Sequence, residues 1–136
     1  MVVISELVAP RANPRVLAWM QAIPEERLYL SAITIGELQK GVSKLAASRR
    51  RQTLNTWLQD DLLPRFKGRV VQLDVPILLV WGTMMAELEL ERKPMPTMDA
   101  LIAASAKHGD FTLVTRNVAD FIETGVSILN PWDEAP

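Results

Sequence analysis

The sequence predicts an α/β fold in which helices cover both faces of a mostly parallel central sheet, a three-layer α/β/α arrangement. Short apolar segments typical of buried strands alternate with longer segments whose apolar residues recur at helical spacing. Such alternation is the pattern of a parallel sheet with crossover helices. Because 136 residues suit one compact domain better than two, we expect residues 1–136 to form a single domain.

Strand-like segments occur at four clear places. Enrichment in β-branched and aromatic residues, with turn residues nearby, predicts strands in RLYLSAI, GRVVQLD, DFTLVT and VSILN. The first residues, MVVISELV, are ambiguous, since their β-branched side chains favour a strand whereas SEL also suits a helical turn.

Helical segments lie between and around these strands. Apolar spacing predicts helices in PRVLAWMQAIP, TIGELQKGVSKLAAS, RRRQTLNTWLQDDLLPRF and VPILLVWGTMMAELELERK, another beginning at Thr97, and a single turn in NVADF. We expect the third of them to end at Pro64 or shortly after it, because proline interrupts a helix interior. Pro76 is compatible with the first turn of the fourth.

The composition excludes several kinds of site. The chain has no cysteine and a single histidine, His108, so thiolate nucleophiles, cysteine metal cages and histidine-pair zinc sites are excluded. A metal would be held by oxygen ligands, which suits magnesium or manganese. A net charge of −1 means that a nucleic acid would have to be recognised locally. No apolar run of membrane-spanning length and no leader pattern is present, so we expect a cytoplasmic protein without membrane contact.

Three acids stand near predicted helix starts, each behind a potential capping residue: Glu37 behind Thr34, Asp99 behind Thr97, and Asp120 behind Asn117. Each acid alone also suits a structural role, because a carboxylate in the first turn interacts with the helix dipole by about 0.3–1 kcal/mol. Strand-to-helix junctions of a parallel sheet, however, gather at its carboxyl edge. The small residues that follow Asp99 predict a deeply packed helix, where a carboxylate is costly without a partner. A divalent cation would turn the mutual repulsion of clustered acids into binding.

Four stretches together resemble one family. SAITIGELQKGV, MPTMDALIAASAKHG, LVTRNVADF and GVSILNPW are similar, in order, to the motifs of PIN-domain ribonucleases, specifically bacterial toxins of the VapC/FitB type. The resemblance implies a PIN-like fold around a parallel sheet and an acidic site that binds Mg²⁺ (or Mn²⁺). It also implies hydrolysis of RNA phosphodiester bonds, homodimerisation and silencing by a cognate VapB-type antitoxin.

The resemblance assigns roles residue by residue. Glu37, Asp99 and Asp120 match the family's second, third and fourth acids, which are catalytic and bind the metal. Thr115 and Asn117 match its polar supporting positions, although a strand-end hydroxyl and a helix N-cap account for them equally well.

The start of the chain departs from the family pattern. The family's first strand and the Asp that ends it have no counterpart before Met1, and Glu6 belongs to a different motif position. We therefore expect weak cation binding and poor cleavage. Residues 2–4 should either fill the gap as a strand or stay poorly ordered.

Cations and tryptophans admit two interpretations. Lys40, Lys44 and the run Arg49–Arg51 can contact RNA phosphates, although a solvated helix face is favoured for the arginines. Trp19, Trp57 and Trp81 occupy apolar helical positions, which suit core or dimer contacts better than base-stacking platforms. The large apolar residues of PRVLAWMQAI and RRRQTLNTWLQDDLL predict a homodimer through these helices.

Three function classes remain open from the sequence. The first is a metal-dependent endoribonuclease toxin. The second is the same fold as a catalytically weakened module that pairs with an antitoxin or with itself. The third, a receiver-type phosphotransfer domain, ranks last because it needs a lysine where LVTRN has Arg116.

Overall fold

A computed structural model describes residues 2–4, 18–19 and 21–131 of the chain. Its sheet has five parallel strands in the order β3-β2-β1-β4-β5. The strands are β1 (Val2–Ile4), β2 (Leu28–Ser31), β3 (Val70–Val71), β4 (Thr112–Val114) and β5 (Ile128–Leu129). The four clear strand predictions are confirmed, and the parallel sheet confirms the predicted fold class.

The ambiguous first segment supplies the central strand. Ile4 is in register with Leu30 on one side and with Val114 on the other. Of the two outcomes expected for residues 2–4, the structure therefore shows a strand. Glu6 and the rest of the segment that follows β1 lie outside the described residues.

Apart from short 3₁₀ turns, five helices have both ends within the described part of the chain. They are α1 (Ala32–Ser43), α2 (Arg49–Thr56, continuing as a π-helical segment Trp57–Leu62 and ending with Leu63–Arg65), α3 (Val75–Leu90), α4 (Thr97–Gly109) and α5 (Val118–Phe121). The π segment ends two residues before Pro64, which has no N–H for the regular ladder, so a local change of hydrogen bonding carries the helix past the proline. Ala18, Trp19, Gln21 and Ala22, in the first predicted helix, are also helical.

The sheet separates two apolar layers, as the strand side chains show. Leu28 and Leu30 of β2 pack into one layer, while Tyr29 between them packs into the other. Leu113 and Val114 of β4 divide between the layers in the same way. This period of two is expected of a sheet covered on both faces. The three-layer prediction is thus confirmed.

Each layer is built around different helices. One contains Leu58, Leu62 and Phe66 from the end of α2, and the other contains α3 and α4. Phe66 is completely buried, and burying a side chain of that size contributes about 1.5–3 kcal/mol. In the described part of the chain, no helix is long and apolar enough to cross a membrane.

Helix α4 lies deep in the molecule because its inner face is made of small residues. Ala100, Ala103, Ala104 and Ala106 are completely buried. Ser105 is buried with them, and its hydroxyl donates to the Leu101 carbonyl at 2.9 Å. Asp99, at the start of this helix, is therefore held against a rigid, closely packed support.

Candidate acidic site at the carboxyl edge of the sheet

The carboxyl edge of the sheet presents two buried hydroxyl residues beside the central strand. Ser31 ends β2 and Thr115 follows β4, and both are at most 1% exposed. They come directly after Leu30 and Val114, the residues paired with Ile4 at the end of β1. Three neighbouring strands therefore end together at this edge, which is where parallel α/β sheets place their sites.

Ser31, and not Thr34, caps helix α1. The Ser31 hydroxyl oxygen accepts a hydrogen bond from the Ile33 N–H at 3.1 Å. Thr34 is buried within the helix, so the predicted cap at Thr34 is wrong. The structure adds Ser31 as a residue that the sequence analysis missed, and the available signal was a small hydroxyl directly before an apolar helical run.

Glu37 consequently lies one turn deeper than predicted. It is the sixth residue of α1, in the second turn, where the helix dipole stabilises an acid little. Its side chain is exposed. Glu37 therefore does not belong to a capping box, and a role at the helix start does not explain its position.

Asp99 stands in the first turn of α4, as predicted, but one position later. Pro96 and not Thr97 occupies the N-cap, and its side chain makes no capping hydrogen bond. Only Asp110 and Phe111 separate the end of α4 from β4, so α4 must run antiparallel to the strand. Its beginning, with Asp99, is therefore directed to the carboxyl edge.

Asp120 occupies the third position of α5, confirming its predicted place in the first turn. Asn117 is the N-cap residue, but its side chain makes no capping hydrogen bond. The loop is held instead by Thr115, whose Oγ1 accepts from the Asn117 N–H at 3.1 Å. The Asp120 N–H in turn donates to the Asn117 carbonyl at 3.1 Å. A buried hydroxyl thus fixes the turn that presents the exposed Asp120 carboxylate.

Asp99 and Asp120 act on each other electrostatically. Partial burial raises the pKa of Asp99 above its usual value, and the negative charge of Asp120 raises it further. Both effects disfavour the ionised form. Two neighbouring carboxylates attract a cation, and their oxygens are the donors that hard divalent ions prefer.

The helices that carry Glu37, Asp99 and Asp120 are in contact with one another. Helix α1 contacts α4, and α4 contacts α5. Within the described residues, no group of three His, Cys, Asp or Glu side chains is arranged to hold a metal ion. The structure therefore brings Asp99 and Asp120 together, and the convergence of Glu37 with them stays a prediction.

Comparison with known proteins gives a match over most of the chain. Residues 2–126 match the PIN domain family. The chain is 35% identical over 132 residues to the toxin FitB of Neisseria gonorrhoeae, covering 97% of this chain and 95% of that protein. It is 37% identical over 133 residues to the VapC ribonuclease Y4jK of Sinorhizobium fredii, covering 98% and 95%.

Solved structures agree with the sequence matches. A chain in the structure of FitAB bound to the IR36 DNA fragment superimposes with a TM-score of 0.90 at 30% identity, covering 100% of this chain and 99% of that one. The crystal structure of FitAcB from Neisseria gonorrhoeae gives a TM-score of 0.89 at 32% identity, covering 98% and 100%.

Proposed function

The chain belongs to the PIN-domain family, and from that premise we propose that it is a metal-dependent endoribonuclease that hydrolyses RNA phosphodiester bonds in the cytoplasm. We further propose that it is the toxin of a VapBC-type toxin–antitoxin pair. Two relatives are named as VapC ribonucleases, and two similar structures are of FitAB or FitAcB. These names suggest both the substrate class and an antitoxin partner.

One observation carries the catalytic proposal. Asp99 is held half-buried beside a second carboxylate, and both its burial and that neighbour raise its pKa. When both carboxylates are ionised, this arrangement lowers the stability of the fold, because the two negative charges repel each other and one of them is partly removed from water. Perturbed acids of this kind are typical of functional sites. A Mg²⁺ or Mn²⁺ ion between the acids would offset the repulsion.

The residues divide the work as follows. Asp99 and Asp120 would hold the cation, with Glu37 as the third ligand. When bound, such an ion lowers the pKa of a coordinated water and neutralises charge on the phosphate. The closely packed helix α4 would hold the Asp99 carboxylate in a fixed direction. Thr115 holds the turn that aims Asp120, and Asn117 is exposed beside that turn for contact with a scissile phosphate.

A pair of matched substitutions tests the catalytic role. Asp99→Asn removes the charge at nearly constant shape, so cleavage of RNA in the presence of manganese should fall at least about 100-fold. Asp74→Asn is the control, because Asp74 also stands at a helix start but caps it, accepting from the Ile77 N–H at 3.1 Å. Asparagine caps equally well, so the control should cleave normally. Full cleavage by the Asp99 variant would reject the assignment.

A chelator arm separates the enzyme from the weakened module. Purified wild-type chain that cleaves with manganese and stops with chelator supports the ribonuclease. A chain that binds a VapB-type antitoxin but never cleaves supports the catalytically weakened alternative.

We also propose a homodimer, through a different surface from the one that the sequence suggested. The large apolar residues of α2 are buried or half-buried within the chain, so this helix offers a partner little apolar surface. Half of PRVLAWMQAI lies outside the described residues. Helix α3 instead exposes Val75, Leu78 and Leu79 at 68%, 43% and 68%. Their spacing places them on one helix face. Light scattering should give a dimeric mass that Leu79→Glu reduces to a monomer, and an unchanged mass would exclude this surface.

A further inference from the structure

A single stretch of the chain concentrates positive charge. Residues 38–59 contain five cations and no acid: Lys40, Lys44, Arg49, Arg50 and Arg51. The whole chain has 16 acids against 15 bases, so this local excess is not a general property of the surface. The stretch comprises the second half of α1 and most of α2.

The three arginines occupy an electrostatically unfavourable position. They form the first turn of α2, behind the Ser48 cap, with no acid among them. A helix start carries partial positive charge, which favours anions and opposes cations. In the described part of the chain, the ion pairs involve other basic residues, although Arg49 shares a second cavity with Asp61. Their placement favours an anionic ligand outside the fold.

A cleft beside the arginines offers hydrogen-bonding groups as well as charge. A cavity of about 290 Å³ lies between α1 and α2, and Arg51 contributes to its wall. Two amide side chains, Gln52 and Asn55, line part of the rest. A third, Gln39, already donates to the Ser43 hydroxyl at 2.9 Å and accepts from the Gln59 amide at 3.4 Å. Amides both donate and accept, which suits the edges of unpaired bases better than it suits a carboxylate-rich protein surface.

Helix α1 carries both Glu37, the proposed third metal ligand, and residues that line this cleft. Glu37, Lys40 and Lys44 follow at intervals of three and four residues, so they share one face of the helix. The rise from Glu37 to Lys44 is about 10 Å. A strand whose phosphate lies at Glu37 would therefore meet Lys40 and Lys44 before it reaches the arginines.

We propose that the cleft between α1 and α2, with Arg49, Arg50 and Arg51, binds the single-stranded RNA that flanks the cleavage point, along the Lys40–Lys44 face. The inference rests on the proposed ribonuclease function. It assigns the arginines to phosphates and the amides of Gln52 and Asn55 to bases. The cleft supplies affinity for a long substrate and takes no part in the chemical step.

Binding measured without cleavage tests the proposal independently of catalysis. Fluorescein-labelled single-stranded RNA of about 12 nucleotides is titrated with full-length chain in chelator. Arg49→Gln/Arg51→Gln should weaken binding about tenfold and reduce the slope of log Kd against log salt by about 1.4, since each lost phosphate contact removes about 0.7. Glutamine favours helix and relieves the charge at the helix start, so the variant should fold. Arg27→Gln/Arg92→Gln, exposed arginines outside the cleft, is the matched control and should change neither quantity.

A cleavage assay then distinguishes this proposal from the ribonuclease proposal on which it rests. With a 12-nucleotide substrate the cleft variant should raise KM at unchanged kcat, whereas a dinucleotide substrate should show no difference. Equal RNA binding by the cleft and control variants would overturn the inference while leaving the ribonuclease intact. Poly-glutamate that binds as tightly as RNA, with the same sensitivity to the substitution, would overturn it in favour of an acidic protein partner. Wild-type chain that binds RNA through the cleft yet never cleaves would overturn only the ribonuclease proposal.

Discussion

Replacing Thr115 by valine should damage catalysis more than it damages stability. Valine keeps the shape of threonine and removes only the hydroxyl. Thr115 is 1% exposed, and its hydroxyl oxygen accepts from the Asn117 N–H at 3.1 Å. One neutral hydrogen bond contributes about 1 kcal/mol net. Because Asn117 is exposed, its freed N–H can turn to water, so the loss should not exceed that value. For a chain of this length we expect a fall in Tm of about 3–5 °C.

The effect on cleavage follows from the group that the Thr115–Asn117 hydrogen bond holds in place, which is the Asp120 carboxylate. Asp120 donates its N–H to the Asn117 carbonyl at 3.1 Å, so the Thr115 hydroxyl and the Asp120 carboxylate belong to the same turn. A displacement of about 1 Å in a catalytic group can cost about 100-fold in rate. We therefore expect kcat to fall at least about tenfold.

Thr124→Val is the matched control. Thr124 is 4% exposed, donates to the Phe121 carbonyl at 2.5 Å and accepts from the Val126 N–H at 3.4 Å. It should lose about 1–2 kcal/mol of unfolding free energy while cleavage remains within about twofold of wild type. Urea unfolding and single-turnover cleavage measure the two quantities. If both variants lose stability and neither loses rate, the Thr115 turn does not position a catalytic acid.

Two further predictions concern charge. Arg69→Met should lower the unfolding free energy by about 3 kcal/mol, because the guanidinium donates to three backbone carbonyls and is only 16% exposed. Arg65→Met, which breaks an exposed pair with Glu25, should cost at most about 1 kcal/mol, and equal losses in urea melts would refute the distinction. Asp99→Asn should stabilise the metal-free protein, kept in chelator, at neutral pH, because burial and Asp120 raise the pKa of Asp99 in the folded state. The protonated form is favoured by folding, so the gain should be absent below the usual pKa of 3.8 and grow as pH rises towards the raised value; a gain independent of pH would exclude this cause.

The layers of the fold were predictable because they depend on local alternation. In β2, Leu28 and Leu30 face one core and Tyr29 faces the other, and this period is legible in the sequence. The central position of β1 could not be predicted from the sequence. Three residues, Val2–Ile4, carry too little pattern to outweigh SEL, and it is pairing with β2 and β4 that decides their conformation.

Helix starts were predicted less well than helices, for a physical reason. Ser31 and Thr34 both have capping hydroxyls, and local propensity does not separate them. Ser31 is extended because it pairs with Val71 in the neighbouring strand, so the end of β2 is set by a residue 40 positions away. That pairing moves the start of α1 and puts Glu37 in the second turn. A boundary fixed by a distant strand cannot be read from neighbouring residues.

The same shift strengthens the functional interpretation of the acids. In the first turn, an acid is sufficiently explained by the dipole and by capping. Glu37 loses that explanation because its helix begins earlier than expected. Asp99 keeps its place in the first turn, but it is disfavoured there as an ion by burial and by Asp120, which outweigh what a helix start offers. Asp74 is the contrasting case, an acid at a helix start that accepts from the helix N–H and has a sufficient structural role. An acid whose position stabilises the fold requires no ligand, whereas Asp99 opposes the fold unless a cation joins it, and that difference distinguishes site residues from caps in this chain.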